Sequence, residues 1–396
     1  PRSGYYVSAR LPSTAEARPA EPLPSQPAAT STGVAISDLV FEVLGLARDR
    51  DLVPLGSAFP GLELFPLDRL ARCLASGMRK LDPWNIVQSL PPGDERLRQQ
   101  IALRYGVHGT AVDVEEIIIT NGAMEALNLC LEAVTQPGDV VVVESPTFYA
   151  ALQALERLNL QALEIATHPR DGIDLAALAE ALERQPPHQR VKACWLMPSF
   201  QNPLGSLMPE DKKRELVELL ARHQIPLIED DVYAELHFGP QRPPPAKAFD
   251  GAGLVMHCSS FSKSLAPGYR VGWVAAGRWT RAIERLKVMS SLSASVPPQA
   301  ALSDYLAQGG YDLHLRRLRQ TLALQRDVMI DAIAESFPAG TRVTRPQGGY
   351  FLWLELAPHI DALALMRQAL QAGVSLMPGQ LFSADQRFAH CIRLNF

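Results

Sequence analysis

The chain has 396 residues, of which 47% are hydrophobic, and a formal net charge of −4. Its length allows a large buried core, and its charge argues against broad nucleic-acid affinity in this segment. The five scattered cysteines contain no CxxC pair, which argues against a disulfide framework or a zinc site and favours a reducing compartment. Because no apolar run reaches membrane-spanning length and no signal-peptide block opens the chain, we expect a cytoplasmic protein without a membrane partner.

The N-terminal region differs in composition from the rest of the chain. Residues 1–7 look like the second half of a hairpin, and residues 8–35 are rich in Pro, Ala, Ser and Thr with few side chains to bury. This composition predicts a linker. A linker in this position indicates that an N-terminal domain is missing, and a native disordered tail is the alternative.

Apolar spacing and turn residues divide the remaining chain into three parts. Residues 36–110 predict an N-terminal segment of short helices, in which Asp94 caps the helix that follows a Pro-Pro-Gly turn. Residues 111–277 alternate strands with helices, which predicts a large α/β domain with a mostly parallel, seven-stranded sheet between helices. Residues 278–396 predict long interdomain helices and a smaller α+β C-terminal domain. The seven predicted strands are Glu116–Thr120, Val140–Glu144, Gln161–Ile165, Ala193–Met197, Pro226–Ile228, Leu254–Ser259 and Arg270–Ala275.

Unusual loops follow several predicted strands, at the edge where ligands bind in open α/β sheets. After the first strand, a glycine turn leads into a helix, so the backbone N–H groups of Gly122, Ala123 and Met124 can form a phosphate seat. Phe148 follows the second strand and can stack on a planar ring, or it is a core aromatic. Asn202 follows another strand and can offer its amide to a ring hydroxyl, or it serves only the turn.

The strongest chemical signal comes from the next two strand ends. Asp230 lies among three consecutive acids after a predicted buried strand, and a carboxylate keeps a pyridine nitrogen protonated. Tyr233, three residues later, can reach the same pocket. Lys263 lies in a tight loop between buried strands, where burial lowers the pKa of an amine and allows a Schiff base, although an isolated Ser-x-x-Lys pattern is often a surface loop. Ser260 and Arg270 lie close by as phosphate partners. Together these groups predict a pyridoxal phosphate site.

From about Leu55 to Phe396, the chain resembles the fold-type I, aspartate-aminotransferase-like family. The resemblance implies that Lys263 is the Schiff-base lysine and that Asp230 pairs with the pyridine nitrogen. It also implies that Tyr233 and Asn202 hydrogen-bond the ring hydroxyl oxygen. The residues implied to hold the phosphate are Gly122, Ala123, Met124, Ser260 and Arg270.

The same resemblance extends to the ring, the substrate and the partner subunit. It implies that Phe148 stacks on the cofactor ring and that Arg393, together with Asn202, binds the substrate; the arginine grips the carboxylate. It further implies a homodimer with sites at the subunit interface. One position departs from the family: Gln88 stands where a tyrosine often reaches the partner's phosphate.

The ends of the chain narrow the resemblance further. Residues 1–7 resemble the wing of a GntR-type winged helix-turn-helix, and the segments Gln347–Trp353 and Pro378–Phe382 are similar to those of MocR-type transcriptional regulators. The resemblance implies a regulator that lacks most of its DNA-binding domain. Such a protein contacts DNA through that missing domain, not through this segment.

Three functions are compatible with these residues. The first is the effector domain of a regulator that senses an amino acid or amine through imine chemistry on pyridoxal phosphate. The second is an active aminotransferase that moves an amino group between an amino acid and a 2-oxo acid. The third is a lyase or decarboxylase on the same scaffold, because substrate orientation decides which bond breaks. The N-terminal remnant favours the first.

Overall fold

A computed structural model of the chain describes residues 19–46, 51–84, 90–184 and 190–396. Residues 1–7, the predicted wing, and Gln88 lie outside the described residues. The helices in the described ranges are α1 (Ser37–Leu46), α2 (Leu67–Lys80), α3 (Glu95–Val107), α4 (Ala123–Val134), α5 (Tyr149–Arg157), α6 (Leu175–Glu183), α7 (Glu210–His223), α8 (Thr280–Ser290), α9 (Val296–Ala307), α10 (Tyr311–Ser336) and α11 (Ala362–Gln371). The strands are β1 (Thr32–Gly33), β2 (Ile117–Thr120), β3 (Val140–Ser145), β4 (Gln161–His168), β5 (Gly172–Ile173), β6 (Val191–Leu196), β7 (Leu227–Asp230), β8 (Val255–Ser260), β9 (Gly272–Ala275), β10 (Arg342–Val343), β11 (Phe351–Glu355), β12 (Met377–Pro378) and β13 (Cys391–Asn395).

The large sheet contains all seven predicted strands and two additional two-residue strands. Its order is β1-β4-β3-β6-β7-β8-β9-β2, and β5 pairs with the C-terminal end of β4. The pairs from β4 through β8 are parallel, whereas β9 runs antiparallel to both β8 and β2. Apolar runs such as 117–119 and 140–143 are buried along their whole length, because helices cover both faces of the sheet. The expected mostly parallel α/β architecture is confirmed.

The C-terminal part of the chain forms the expected smaller α+β unit. Helix α10, 26 residues long, leads into a four-stranded antiparallel sheet with the order β10-β11-β13-β12. The central strand β13 pairs with β11 from Cys391 to Asn395 and is buried throughout. This burial fixes the side chain of Arg393, on the same strand, inside the molecule.

The described part of the predicted linker is bound to the rest of the chain rather than free of it. Strand β1 pairs antiparallel with β4 at the edge of the large sheet. The Ser25 hydroxyl donates a hydrogen bond to the Ser145 carbonyl oxygen at 2.5 Å, and the Val343 N–H of the small sheet donates to the Ala20 carbonyl oxygen at 2.9 Å. Composition alone does not reveal that this segment pairs with the sheet. The edge strand of a sheet offers free main-chain N–H and C=O groups, and these can pair with a segment of almost any composition.

Within the described residues, no helix combines the length and the apolar character that crossing a membrane requires.

Candidate functional site

The sequence-predicted residues come from loops at the carboxyl ends of the large-sheet strands and from the small sheet. Asp230 ends β7, Ser260 ends β8, and Lys263 lies in the turn that follows β8. Because β7 and β8 are parallel neighbours, their ends lie at the same edge of the sheet. Strand β13 brings Arg393 to this edge from the small sheet.

Lys263 is held in a constrained turn. Its Nζ donates a hydrogen bond to the Ala58 carbonyl oxygen at 2.8 Å and lies 3.8 Å from the centroid of the Phe59 ring. The next residue, Ser264, is fixed by a 2.7 Å hydrogen bond between its hydroxyl and that of Tyr311. The turn therefore holds the amine beside the Ala58 carbonyl oxygen and the Phe59 ring.

The charge state of Lys263 is shifted toward the neutral amine. Burial lowers the pKa of Lys263 to about 7, and the positive charges of Arg393 and Arg270 act in the same direction. The carboxylate of Asp230 opposes this shift. A substantial fraction of the amine is therefore unprotonated near neutral pH, as a nucleophile requires.

Asp230 differs from the acids on either side of it. Glu229 accepts a hydrogen bond from the Ala246 N–H at 2.6 Å, and Asp231 forms an ion pair with Arg242 at 2.6 Å. Asp230 is 1% exposed, and its Oδ1 has no hydrogen-bond partner among the described residues. Burial, with the neighbouring charge of Asp231, raises the pKa of Asp230 to about 7. Packing therefore gives Glu229 and Asp231 a fixed partner each, and the Asp230 Oδ1, like the Asp231 Oδ1, remains buried without a hydrogen-bond partner among the described residues.

Asn202 and Arg393 form one buried unit. The Asn202 Oδ1 accepts a hydrogen bond from Arg393 Nη1 at 3.1 Å, whereas the Asn202 Nδ2 has no partner in the described part of the chain. The Arg393 Nη2 donates to the carbonyl oxygens of Gly56 at 2.9 Å and Ser57 at 3.3 Å, and the guanidinium lies 4.3 Å from the Phe351 ring centroid. Arg393 is fully buried, and the ion pairs of the described residues include no carboxylate for it. Such an uncompensated buried cation suits an anionic ligand.

The predicted phosphate seat is built by close approach of two turns. Gly122 has a φ of +85°, and a Cβ at this position would collide with the Arg270 guanidinium. A Cβ on Gly272 would come within 2.5 Å of the Gly122 carbonyl carbon. The Arg270 Nη1 donates to the Ser262 hydroxyl at 3.1 Å, and the Ser262 N–H donates to the Ser260 hydroxyl at 3.4 Å. Arginine, hydroxyl groups and the glycine turn therefore meet at one place.

Helix α4 begins at this turn with Ala123 and Met124. The N–H groups of a first helical turn have no intrahelical acceptor, and the helix dipole places partial positive charge there. Ala123 is buried and Met124 is half-buried. These N–H groups and Arg270 together favour a bound phosphate.

The two predicted aromatic residues occupy different surroundings. Phe148 is half-buried directly before α5, and its ring lies 5.0 Å from that of Tyr149. Tyr233 is buried with its ring 5.5 Å from both Tyr350 and Phe351, and burial raises the pKa of its hydroxyl. Among the described contacts, Tyr233 is therefore joined to the ring cluster around Arg393, whereas Phe148 belongs to the turn after β3.

Sequence reasoning missed three residues that surround the Lys263 amine. The Ala58 carbonyl oxygen accepts from both Lys263 Nζ and the Tyr350 hydroxyl, the latter at 2.6 Å, and Phe59 covers the amine. A main-chain acceptor leaves no signature in the sequence. The sequence offers one indication of Tyr350, which follows two glycines and directly precedes β11.

No group of three or more His, Cys, Asp or Glu side chains that could hold a metal ion occurs in the described residues.

Comparison with known proteins identifies related families. The model of the family described as aminotransferase class I and II matches residues 77–396. Over 395 residues the chain is 48% identical to a protein named uncharacterized HTH-type transcriptional regulator YdcR from Escherichia coli strain K12, with all of this chain and 82% of that protein covered. It is 32% identical over 363 residues to aromatic-amino-acid aminotransferase 1 of Thermococcus litoralis, covering 90% of this chain and 86% of that protein.

A solved structure of an aminotransferase is also similar to this chain. The crystal structure of LysN, an α-aminoadipate aminotransferase of Thermus thermophilus, is complexed with N-(5'-phosphopyridoxyl)-L-leucine. It matches this chain with a TM-score of 0.81 and 29% identity, and covers 91% of this chain and 93% of that one.

Proposed function

This chain belongs to the aminotransferase class I and II family, and from that premise we propose that it is the pyridoxal-phosphate-binding effector domain of a MocR-type, DNA-binding transcriptional regulator. The family supplies the fold and the cofactor, pyridoxal phosphate. The regulator role is supported by the regulator named above, which is similar over the whole length of this chain, whereas the aminotransferase named above is less similar and matches 90% of it.

The observation that carries this proposal is a pair of unpartnered buried atoms of opposite type. Among the described residues, the Asp230 Oδ1 is an acceptor without a donor, and the Asn202 Nδ2 is a donor without an acceptor. Buried polar atoms without partners are rare and costly. The pyridine N–H and the ring hydroxyl oxygen of pyridoxal phosphate supply the two missing partners, so the donor set fits this cofactor.

The remaining site residues take complementary roles in the proposal. Lys263 would hold the cofactor covalently through its Nζ, and Tyr233 would join Asn202 at the ring hydroxyl oxygen. Phe148 stacks on the ring. The residues proposed to hold the phosphate are Gly122, Ala123, Met124, Ser260 and Arg270.

Arg393 and Asn202 provide the ligand side of the site. The buried guanidinium, without a neutralising carboxylate in the described residues, is proposed to bind the carboxylate of an amino acid. Asn202 holds the guanidinium in place through its Oδ1 and reaches the cofactor through its Nδ2. The same side chain therefore couples ligand binding to the cofactor.

The chain's own residues would contribute to the chemistry by holding or moving protons at a few atoms. Pyridoxal phosphate supplies an aldehyde carbon and an electron-accepting ring when it is bound. The Lys263 Nζ, with its pKa lowered to about 7, is available near neutral pH as an unprotonated amine that can accept or return a proton. The Asp230 carboxylate would accept a hydrogen bond from the ring nitrogen and would hold the proton there. These steps serve a sensor and an enzyme equally well.

An active aminotransferase is the second candidate. It is favoured by the 32% identity to an aromatic-amino-acid aminotransferase. The discriminating experiment incubates the cofactor-loaded chain with a panel of amino acids and a 2-oxo acid and measures amino-group transfer. Spectral changes with slow or no transfer support the sensor, and rapid turnover supports the enzyme.

The proposed partners are DNA and a second copy of the chain. DNA contacts are assigned to a winged helix-turn-helix outside this segment, in keeping with the HTH-type regulator named above. For the homodimer, Met289 and Leu292 are exposed beside Ser293, whose carbonyl oxygen accepts from Asn121 next to the phosphate seat. A second copy would cover these apolar side chains. Sedimentation at several concentrations tests this, and a monomer at all of them would contradict it.

A further inference from the structure

A buried ion pair is hydrogen-bonded to the residue that precedes the phosphate seat. The Lys287 Nζ, on α8, is 2.8 Å from the Glu125 Oε2, on the first turn of α4. Lys287 is 1% exposed, and the Glu125 side chain is 17% exposed. Neither residue belongs to the cofactor contacts proposed above.

The Glu125 carboxylate holds the turn that precedes the helix. Its Oε2 accepts from the Asn121 N–H at 2.6 Å, and its Oε1 accepts from the Ser291 hydroxyl. The Asn121 side chain donates to the Ser293 carbonyl oxygen at 3.4 Å. Glu125 therefore fixes the residue next to Gly122, so that the N–H groups of the seat keep their direction.

This arrangement carries an electrostatic cost that the lysine removes. Glu125 accepts from the residue adjacent to the seat, so its negative charge faces the place proposed for a phosphate dianion. Like charges that lie close together repel appreciably in a partly buried site. The positive charge of Lys287 cancels that of Glu125 while leaving its hydrogen bonds to the turn intact.

We infer that Glu125 and Lys287 are positioning residues for the cofactor phosphate: Glu125 orients the seat, and Lys287 neutralises Glu125 so that the seat accepts a dianion. The inference rests on the phosphate seat proposed above. A purely structural role, in which the pair only fastens α8 to α4, makes a different prediction, because it does not distinguish phosphorylated from unphosphorylated cofactor.

The test compares the affinities of purified variants for pyridoxal phosphate and for pyridoxal, which lacks the phosphate. Lys287→Met is expected to weaken pyridoxal phosphate binding by about ten- to a hundred-fold and pyridoxal binding by less than about three-fold. Lys287→Arg keeps the charge and is expected to restore binding. In the double variant E125Q/K287M no net charge remains, so we expect affinity within about three-fold of the unchanged chain.

A matched control is available at the other end of β2. The Lys247 Nζ is 3.1 Å from Glu116 Oε2, and the lysine side chain is 6% exposed, so this pair also joins a buried lysine to a glutamate, which is more exposed than Glu125 at 32%. Glu116 lies directly before Ile117, where the strand begins, at the opposite end of β2 from the seat. Lys247→Met is expected to change both affinities by less than about two-fold.

The outcomes separate the inference from the proposed function. Equal weakening of pyridoxal and pyridoxal phosphate binding by Lys287→Met would overturn the inference, as would undiminished binding of both. If Lys287→Met does not fold, Glu125→Gln decides: affinity equal to or above that of the unchanged chain supports the inference, and a ten-fold loss or more overturns it. Failure of the unchanged chain to bind pyridoxal phosphate would overturn the proposed function together with the inference.

Discussion

Arg393 and Asn202, 191 positions apart in the sequence, are joined by a 3.1 Å hydrogen bond from Nη1 to Oδ1. This contact connects the small sheet to a loop of the large sheet. It also orients a fully buried cation whose charge no described carboxylate neutralises. In the proposed function, ligand recognition lies at the junction of the two sheets.

Replacing Arg393 tests whether it binds a carboxylate. Arg393→Lys keeps the charge but loses the two-pronged donor geometry, so we expect about ten-fold weaker binding of amino acids and about a hundred-fold weaker binding for Arg393→Met. Spectral titration of the cofactor-loaded variants with amino acids and with the corresponding decarboxylated amines gives the affinities. Amine binding should change by less than about three-fold; parallel losses for both ligand sets would show that Arg393 acts only on the fold.

The raised pKa of Asp230 predicts a pH-dependent stability of the cofactor-free chain. Between the ordinary value of 3.8 and about 7, the folded state binds more protons at Asp230 than the unfolded state does. Stability should therefore fall as pH rises through this window, by up to about 4 kcal/mol from this group. Chemical denaturation of the unchanged chain and of Asp230→Asn at pH 5 and pH 8 measures the difference. The variant should lose less stability on going to pH 8, and an identical pH response would contradict a buried, proton-binding carboxyl group.

Gly122→Ala tests the close approach that forms the phosphate seat. The added methyl group would meet the Arg270 guanidinium, and the φ of +85° is unfavourable for alanine. We expect at least about ten-fold weaker pyridoxal phosphate binding together with about 1–3 kcal/mol lower stability. Gly109→Ala is the control, because its φ is +75° but no atom lies within 4 Å of the added carbon. The control should lose stability and keep its cofactor affinity; equal affinity losses would remove the steric argument.

The depressed pKa of Lys263 predicts how cofactor attachment depends on pH. With an amine pKa of about 7, the reactive neutral fraction rises steeply between about pH 6 and pH 8 and then levels off. Stopped-flow absorbance after mixing the cofactor-free chain with pyridoxal phosphate measures the attachment rate. A rate that continues to rise toward about pH 10 would indicate an amine with an ordinary pKa.

Much of the fold could be predicted because burial leaves a pattern in the sequence. Runs such as 140–143 are apolar on both faces, as a strand between two helical layers requires, and the strand ends then order the polar residues. This pattern is enough to single out Asp230 and Lys263. Their geometry confirms that both lie at one edge of the sheet.

Other features could not be predicted because they depend on pairing across long distances. Glu125 and Lys287 are separated by 162 positions, and either residue alone looks like an ordinary surface charge on a helix. The Ala58 carbonyl oxygen that accepts from Lys263 is a main-chain group, which any residue would supply. The composition around Ser25 is that of a free linker, and its bonds to β4 join a small hydroxyl and a backbone N–H to main-chain groups, which leave no distinctive sequence pattern.

Borohydride reduction followed by peptide mass spectrometry tests the central claim most directly. The account predicts that the purified chain, loaded with pyridoxal phosphate and reduced, carries a phosphopyridoxyl group on Lys263. The Lys263→Ala variant, which keeps every other lysine of the chain, should carry none. Modification of other lysines with Lys263 unmodified would contradict the account.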